Sequence, residues 1–388
     1  MNENLAGRDD VAGIRRGDRD IRAGASAIRG AAAQSEVPGD IRGAGARSEL
    51  PGDIRVGVIG VGMMGADHVD RLQRRIKGAR VTAVFDADAT RSHAVSARIP
   101  GCEESPTPIN LITSDAVDAV VIASPGRYHR DQAIACIQAG KPVLCEKPLA
   151  MNPEDAYQVV EAEHKSGGRY LSLGFMRRFD PEYIELKAAM DSGELGEISV
   201  INCKHRNAYV HSGFRDEMMV YDSAIHEIDT VSFLLGEPIV QVQTVLPTPS
   251  ANAHPGQHDP MIFLFTTASG KIVTDELYVN TRSGYEVRTE VLGSRGIATI
   301  GLQHGRITTH TPGAQWGGKL PEDFRPRFAA AYDSEFQAWI HAIADGSNIA
   351  PQAATAWDGY VAAATCEAAE KSLTEDGFVA VALQEPPE

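Results

Sequence analysis

Asp222 and His226 stand four residues apart in Val220-Tyr221-Asp222-Ser223-Ala224-Ile225-His226-Glu227-Ile228-Asp229, and Asp229 follows three later. At helical spacing these three share one face. A carboxylate one turn from an imidazole can take up and return a proton. The stretch reads as a helix that runs on to Leu235 and closes at Gly236. Ile225, Ile228, Val231, Phe233, Leu234 and Leu235 form its core-facing side, and Glu227 points away from the polar stripe. A capped, solvated helix face would show the same residue types, so the rest of the chain decides the matter. His226-Glu227-Ile228-Asp229-Thr230 begins like HExxH but lacks the second His, so no metal site is expected.

An acid/base pair becomes interesting beside a redox cofactor. Ile54-Arg55-Val56-Gly57-Val58-Ile59-Gly60 is a short apolar run of the kind a buried parallel strand shows. It leads into Gly60-Val61-Gly62-Met63-Met64-Gly65 and a helical stretch through Ile76. This is GxGxxG between a strand and a helix. Gly60 permits the turn, Gly62 lets the backbone approach a pyrophosphate, and Gly65 lets helix and strand pack closely. The second strand, Arg80 to Phe85, ends in Asp86, 21 residues after Gly65. A carboxylate there accepts from a ribose 2′-hydroxyl and repels a 2′-phosphate, so NAD is expected over NADP, although Arg91 stands nearby. Met63, Met64, Ser124, Pro125, His129, Glu146 and Lys147 are the further expected cofactor contacts.

Strand and helix then alternate. Val117 to Ala123 is a strand ending at Ser124-Pro125, His129 to Gly140 a helix, and Lys141 to Cys145 a strand before Glu146-Lys147-Pro148. Such units build a doubly wound parallel sheet, an α/β Rossmann domain, with ligands at the carboxyl ends of its strands. Lys147 lies at such an end. After Gly174 the pattern turns to β-branched runs with few helices between them: 198–202, 239–245, 261–267, 271–279, 285–292 and 296–300. Two helices follow, at 328–344 and 354–373. This predicts an α+β domain with a large, mainly antiparallel sheet. The expected division is 1–52, a disordered extension; 53–174, the NAD-binding domain; and 175–388, the substrate-binding and oligomerisation domain. Residues 1–52 hold a near-repeat around Pro38-Gly39-Asp40-Ile41-Arg42 and Pro51-Gly52-Asp53-Ile54-Arg55, and few large apolar side chains.

Taken together, Gly60-x-Gly62-x-x-Gly65, Asp86, Glu146-Lys147-Pro148 and Asp222-x-x-x-His226 resemble the glucose–fructose oxidoreductase/inositol dehydrogenase/rhizopine-catabolism family over about residues 54–375. Gly174-Phe175-Met176-Arg177-Arg178-Phe179-Asp180 and Ala356-Trp357-Asp358-Gly359-Tyr360 add to the likeness. The resemblance implies NAD-dependent oxidation of a secondary alcohol of a cyclic polyol, with Lys147, Asp222 and His226 as catalytic residues. It implies that Arg177, His205, Asn207, Asp229, Tyr285 and Tyr332 complete the polyol pocket, and that the enzyme is a homotetramer. Arg282-Ser283-Gly284-Tyr285 departs from the inositol enzymes, which often carry an aromatic before Gly-Tyr. A different inositol isomer, an aldopyranose, or a non-catalytic NAD-binding sensor are the alternatives.

The composition narrows the field. At 388 residues, 43% hydrophobic and 23% charged, the chain is ordinary for a globular protein of two domains. A formal net charge of -15 argues against a nucleic-acid partner. No apolar run reaches the length of a membrane span, and no secretory signal is expected. Five scattered cysteines without a CxxC suit a reducing, cytoplasmic setting.

Overall fold

The computed structural model describes residues 52–302 and 320–387. The expectation of disorder over 1–52 thus lies, Gly52 apart, outside the described residues. Six parallel strands form the first sheet: β1 (Ile54–Ile59), β2 (Ala79–Phe85), β3 (Glu103–Glu104), β4 (Ala119–Ile122), β5 (Val143–Glu146) and β6 (Leu171–Gly174). Their order is β3-β2-β1-β4-β5-β6, that of a dinucleotide-binding sheet, with the switch point between β1 and β4. Helices cover both faces, so β1, β4 and β5 are apolar on both sides; Val56, Val58, Val120, Val121 and Val143 are fully buried.

The second sheet holds β7 (Ile198–Arg206), β8 (Ile239–Val245), β9 (Met261–Thr267), β10 (Ile272–Tyr278), β11 (Glu286–Gly293), β12 (Ile297–Ile300) and β13 (Val379–Ala380). The order is β12-β11-β7-β10-β9-β8-β13. It is mixed but mostly antiparallel: β10 and β7 pair in parallel, and the other pairs are antiparallel. One face is covered and one is open, and the sequence alternates accordingly. Along β9, Met261, Phe263 and Phe265 are fully buried while Ile262 and Leu264 are half-buried. The helices Ile225–Leu235 and Ala356–Lys371 lie on the covered side. The second begins with a capping box between Thr355 and Asp358, a device of about 1 kcal/mol.

The helix Ala329–Ala344, which follows β12 of the second sheet, packs back onto the first. Its Phe336, Trp339 and Ile340 join Val56, Val58, Leu72 and Val121 in one core. That return places Tyr332 beside Met63 and Met64 of the dinucleotide-binding turn.

Candidate active site

The β1 turn forms a phosphate cradle. Gly60 has φ +85°, and a Cβ on it would lie 2.5 Å from the Ser124 backbone nitrogen. A Cβ on Gly65 would lie 1.8 Å from the Gly60 carbonyl oxygen, so helix and turn touch there. Above Gly62, by contrast, the nearest atom is Arg91 Nη1 at 3.9 Å. The helix Met63–Arg74 starts with no side-chain cap and no acid in its first turn, which leaves its N–H groups for an anion. Asp86 accepts from Val61 N (2.9 Å) and Asp88 N (2.9 Å), and its Oδ1 is 3.9 Å from Arg91 Nη1. Gly60, Gly62, Met63, Met64, Asp86, Ser124 and Pro125 border one cavity of about 630 Å³. The glycines, bare helix start and fixed carboxylate fit a dinucleotide, whose adenosine ribose Asp86 would hold. Asp86→Ala should lower the preference for NAD over NADP in kcat/KM by about 10- to 100-fold, the worth of a charged hydrogen bond of roughly 1.5–3 kcal/mol. An unchanged ratio would remove Asp86 as the ribose ligand.

Met63 and Met64 also border a second cavity of about 290 Å³, with Glu146, Lys147, Met176, His205, Asn207, Asp222, Ser223, His226, Tyr285 and Tyr332. The two spaces meet at the start of the glycine-rich helix. Lys147 Nζ donates to the Asp222 backbone carbonyl at 2.9 Å and stands 3.8 Å from Asp222 Oδ1. Asp222 lies in a π-helical segment, Met219–Ala224, where Ile225 N–H reaches back to Val220 O. Such wide turns recur at functional sites. Here the segment brings the Asp222 carbonyl to Lys147. Asp222 is thus the partner of Lys147, and no hydrogen bond joins it to His226.

His226 is buried, and its Nδ1 has no partner among the described residues. Desolvation first, then the positive charges of Lys147, Arg177 and His205, push its pKa well below the ordinary histidine value. The ring is therefore neutral, the state a proton acceptor needs. Asn207 Oδ1 is also buried without a partner in the same wall. Tyr285 and Tyr332 are both buried, and burial pushes the Tyr285 hydroxyl up to about 12.

Several expected site residues lie elsewhere. Asp229 does not border the cavity: Arg178 clamps its carboxylate through Nη2 (2.7 Å) and Nε (3.1 Å), and the same Nη2 reaches Asp358 at 3.1 Å. Arg177 lies behind the wall, paired with Glu227, whose second oxygen takes His205 Nδ1 at 3.0 Å. Glu227, left out of the polar stripe, is thus the residue that anchors His205. His129 does not border the dinucleotide cavity either. Its Nδ1 is 2.7 Å from Pro148 O and its Nε2 2.6 Å from Ser124 O, so it ties two strand ends together. The physical reason is common to Asp229 and Glu227. Residues Ile225 to Val231 are buried on every side, so the helix has no solvent face and polar residues on both flanks must find charged partners. A charged pair in an otherwise apolar helix, with Arg177-Arg178 upstream, was the available signal. Met176, Phe214, Ser223 and Phe324 in the cavity wall carry no such signal.

A nucleotide cradle that adjoins a cavity lined by a buried histidine and a lysine would suit an NAD-dependent oxidoreductase. Residues 54–175 match the family described as an oxidoreductase family with an NAD-binding Rossmann fold, and residues 183–299 match the GFO/IDH/MocA C-terminal domain. The chain is 48% identical to the inositol 2-dehydrogenase of Mycolicibacterium smegmatis, over 85% of this chain and 97% of that one. It is 47% identical to the inositol 2-dehydrogenase of Rhodococcus erythropolis, over 82% and 92%. The structure of myo-inositol dehydrogenase from Lactobacillus casei in complex with NAD(H) and myo-inositol superposes with a TM-score of 0.82 at 31% identity, covering 86% of this chain and 98% of that one. The chain belongs to the GFO/IDH/MocA oxidoreductase family.

Proposed function

We propose that the chain oxidises one secondary alcohol of a cyclic polyol, myo-inositol, to 2-keto-myo-inositol. The observation that carries this is that buried His226 and Lys147 line one small cavity, which shares Met63 and Met64 with the nucleotide cavity. The names of the two bacterial relatives and the ligands of the L. casei structure support the polyol.

NAD, when bound, supplies the hydride acceptor. The carbinol carbon gives up its hydrogen with the electron pair, the hydroxyl proton passes to His226, and the carbonyl forms. Nδ1 of His226 is enclosed, so Nε2 is the atom that takes the proton. Lys147 spends one of three N–H donors on the Asp222 carbonyl. Another can hold the substrate oxygen as charge builds on it. Asp222 keeps the ammonium in place, and His205 and Asn207 meet further ring hydroxyls. Arg177 and Glu227 act through His205.

The depressed His226 pKa fixes the pH dependence. kcat/KM should be level near neutrality and fall only below the ordinary value of 6.5, because the base stays free until the ring is protonated. The same shift bears on stability. The unfolded ring binds a proton below about 6.5 and the folded one does not, so this group's contribution is complete above that pH and is lost as the pH falls. A pH–rate profile whose acid limb sits above 6.5 would contradict the assignment.

A cyclitol and aldose panel with NAD and with NADP, following reduced nicotinamide, tests the function. Turnover of myo-inositol with NAD is expected. Activity confined to linear alcohols or carboxylates would sink the polyol reading, and NAD binding without turnover of any polyol would favour a sensor.

We also propose a homotetramer in the cytoplasm, its subunits joined through the open face of the second sheet. Half-buried Val200, Ile262, Leu264 and Tyr278 on that face support the assembly. Five free cysteines, four of them buried, suit a reducing compartment. Sedimentation of a monomer would refute the assembly. Among the described residues no helix is long and apolar enough to cross a membrane.

A further inference from the structure

Glu146 borders the junction cavity, yet the chemistry above gives it no task. Its carboxylate is held from behind. Oε1 lies 2.7 Å from Nε2 of His68, and Nδ1 of His68 lies 3.0 Å from Nη1 of Arg71. A guanidinium only donates, so His68 Nδ1 must accept and carries no proton. The other ring nitrogen, Nε2–H, then donates to Glu146. Both His68 and Arg71 are buried, and His68 lies against Phe336 with ring centroids 4.6 Å apart.

The charges around the junction can be followed one by one. Lys147 faces Asp222, and Arg177 faces Glu227. Arg71 is met by Asp67 at 2.8 Å and Asp333 at 2.7 Å. Glu335 is buried nearby with both oxygens unpartnered among the described residues, and burial together with the Glu146 charge holds its carboxyl well above the usual range. Burial works against the Glu146 charge, but the His68 hydrogen bond and the nearby Lys147 ammonium bring its pKa below the usual value. Among the described residues, Glu146 is left as an anion whose only hydrogen-bonding side chain is the His68 imidazole.

The hydride acceptor must lie where the nucleotide cavity meets Lys147 and His226, and Glu146 stands in that wall. An oxidised nicotinamide ring carries a positive charge that the reduced ring lacks. We infer that the Arg71–His68–Glu146 chain sets the oxidation-state preference of the cofactor site, holding NAD⁺ more tightly relative to NADH than an uncharged wall would. In the oxidative direction this keeps the substrate form of the cofactor bound and eases departure of the reduced form. The inference rests on the NAD-dependent reading of the preceding subsection.

The test is equilibrium binding, read without turnover. NAD⁺ and NADH are titrated separately against the full chain by calorimetry, for wild type, Glu146→Gln and His68→Phe. Glu146→Gln should lower the ratio Kd(NADH)/Kd(NAD⁺) by about tenfold, chiefly through weaker NAD⁺ binding, since a charge–charge interaction in a half-buried site is removed. His68→Phe should move the ratio the same way, because the anion loses its donor. A merely structural role weakens both nucleotides alike. An unchanged ratio in Glu146→Gln overturns the inference while leaving the dehydrogenase reading standing. If Glu146→Gln does not fold, an unchanged ratio in His68→Phe overturns it. A wild-type chain that binds neither nucleotide removes both the inference and the reading beneath it.

Discussion

Replacing His226 with alanine should lower kcat for polyol oxidation by about 100- to 10,000-fold, the range that loss of a general base produces. Folding should survive. The ring borders a cavity, and its Nδ1 has no protein partner, so truncation opens existing space without orphaning a donor or acceptor. NAD binding should also survive, since the phosphate cradle and Asp86 are untouched. The expected pattern is a collapse in kcat with near-wild-type thermal unfolding and nucleotide Kd. A variant with a wild-type rate would remove His226 from the mechanism. One with a normal rate but a raised KM would make it a binding residue only.

Glu227→Leu should destabilise the fold by about 3–5 kcal/mol, the cost of leaving one partner of a buried ion pair uncompensated. Glu227 and Arg177 have side chains only 1% and 2% exposed. Arg177 would keep its charge without its hydrogen-bonded carboxylate, and His205 would lose its Nδ1 partner. Combining Glu227→Leu with Arg177→Met removes both charges, and stability should recover by a measurable part of the loss. Denaturant unfolding of the two single variants and the double variant closes the cycle. Additive losses would show that the pair is not coupled. Because His205 borders the cavity, the double variant should still bind myo-inositol poorly even where the fold is restored.

Much of this was legible in residues whose types are demanded by local geometry. Gly60 and Gly65 each answer to a backbone contact, Gly62 to the open space above the turn, and Asp86 to a strand end, so the sequence pattern and the cradle agree. β8 and β9 fall on the predicted residues 239–245 and 261–267, because β-branched alternation and flanking turn residues bound them clearly. What local pattern does not carry is which neighbours a buried helix will have. A helical wheel drawn for a half-exposed helix put Asp222, His226 and Asp229 together, but the π-helical segment alters the phase before Ile225, and Arg178 takes Asp229 to another side. Glu227 was passed over for the same reason. β6 and the two-residue edge strands β3 and β13 are too short for periodicity to show. The return of the helix Ala329–Ala344 to the first sheet is a long-range packing choice that no local run of residues announces.

Transfer of deuterium from carbon to cofactor tests the central claim most directly. With myo-inositol deuterated at its second carbon and NAD⁺, the reduced nicotinamide should carry the label, as direct hydride transfer between adjoining cavities requires, and kcat should fall under a primary isotope effect wherever the chemical step limits the rate. Reduced nicotinamide formed without the label, or no reduction at all from myo-inositol while NAD binds normally, would contradict it.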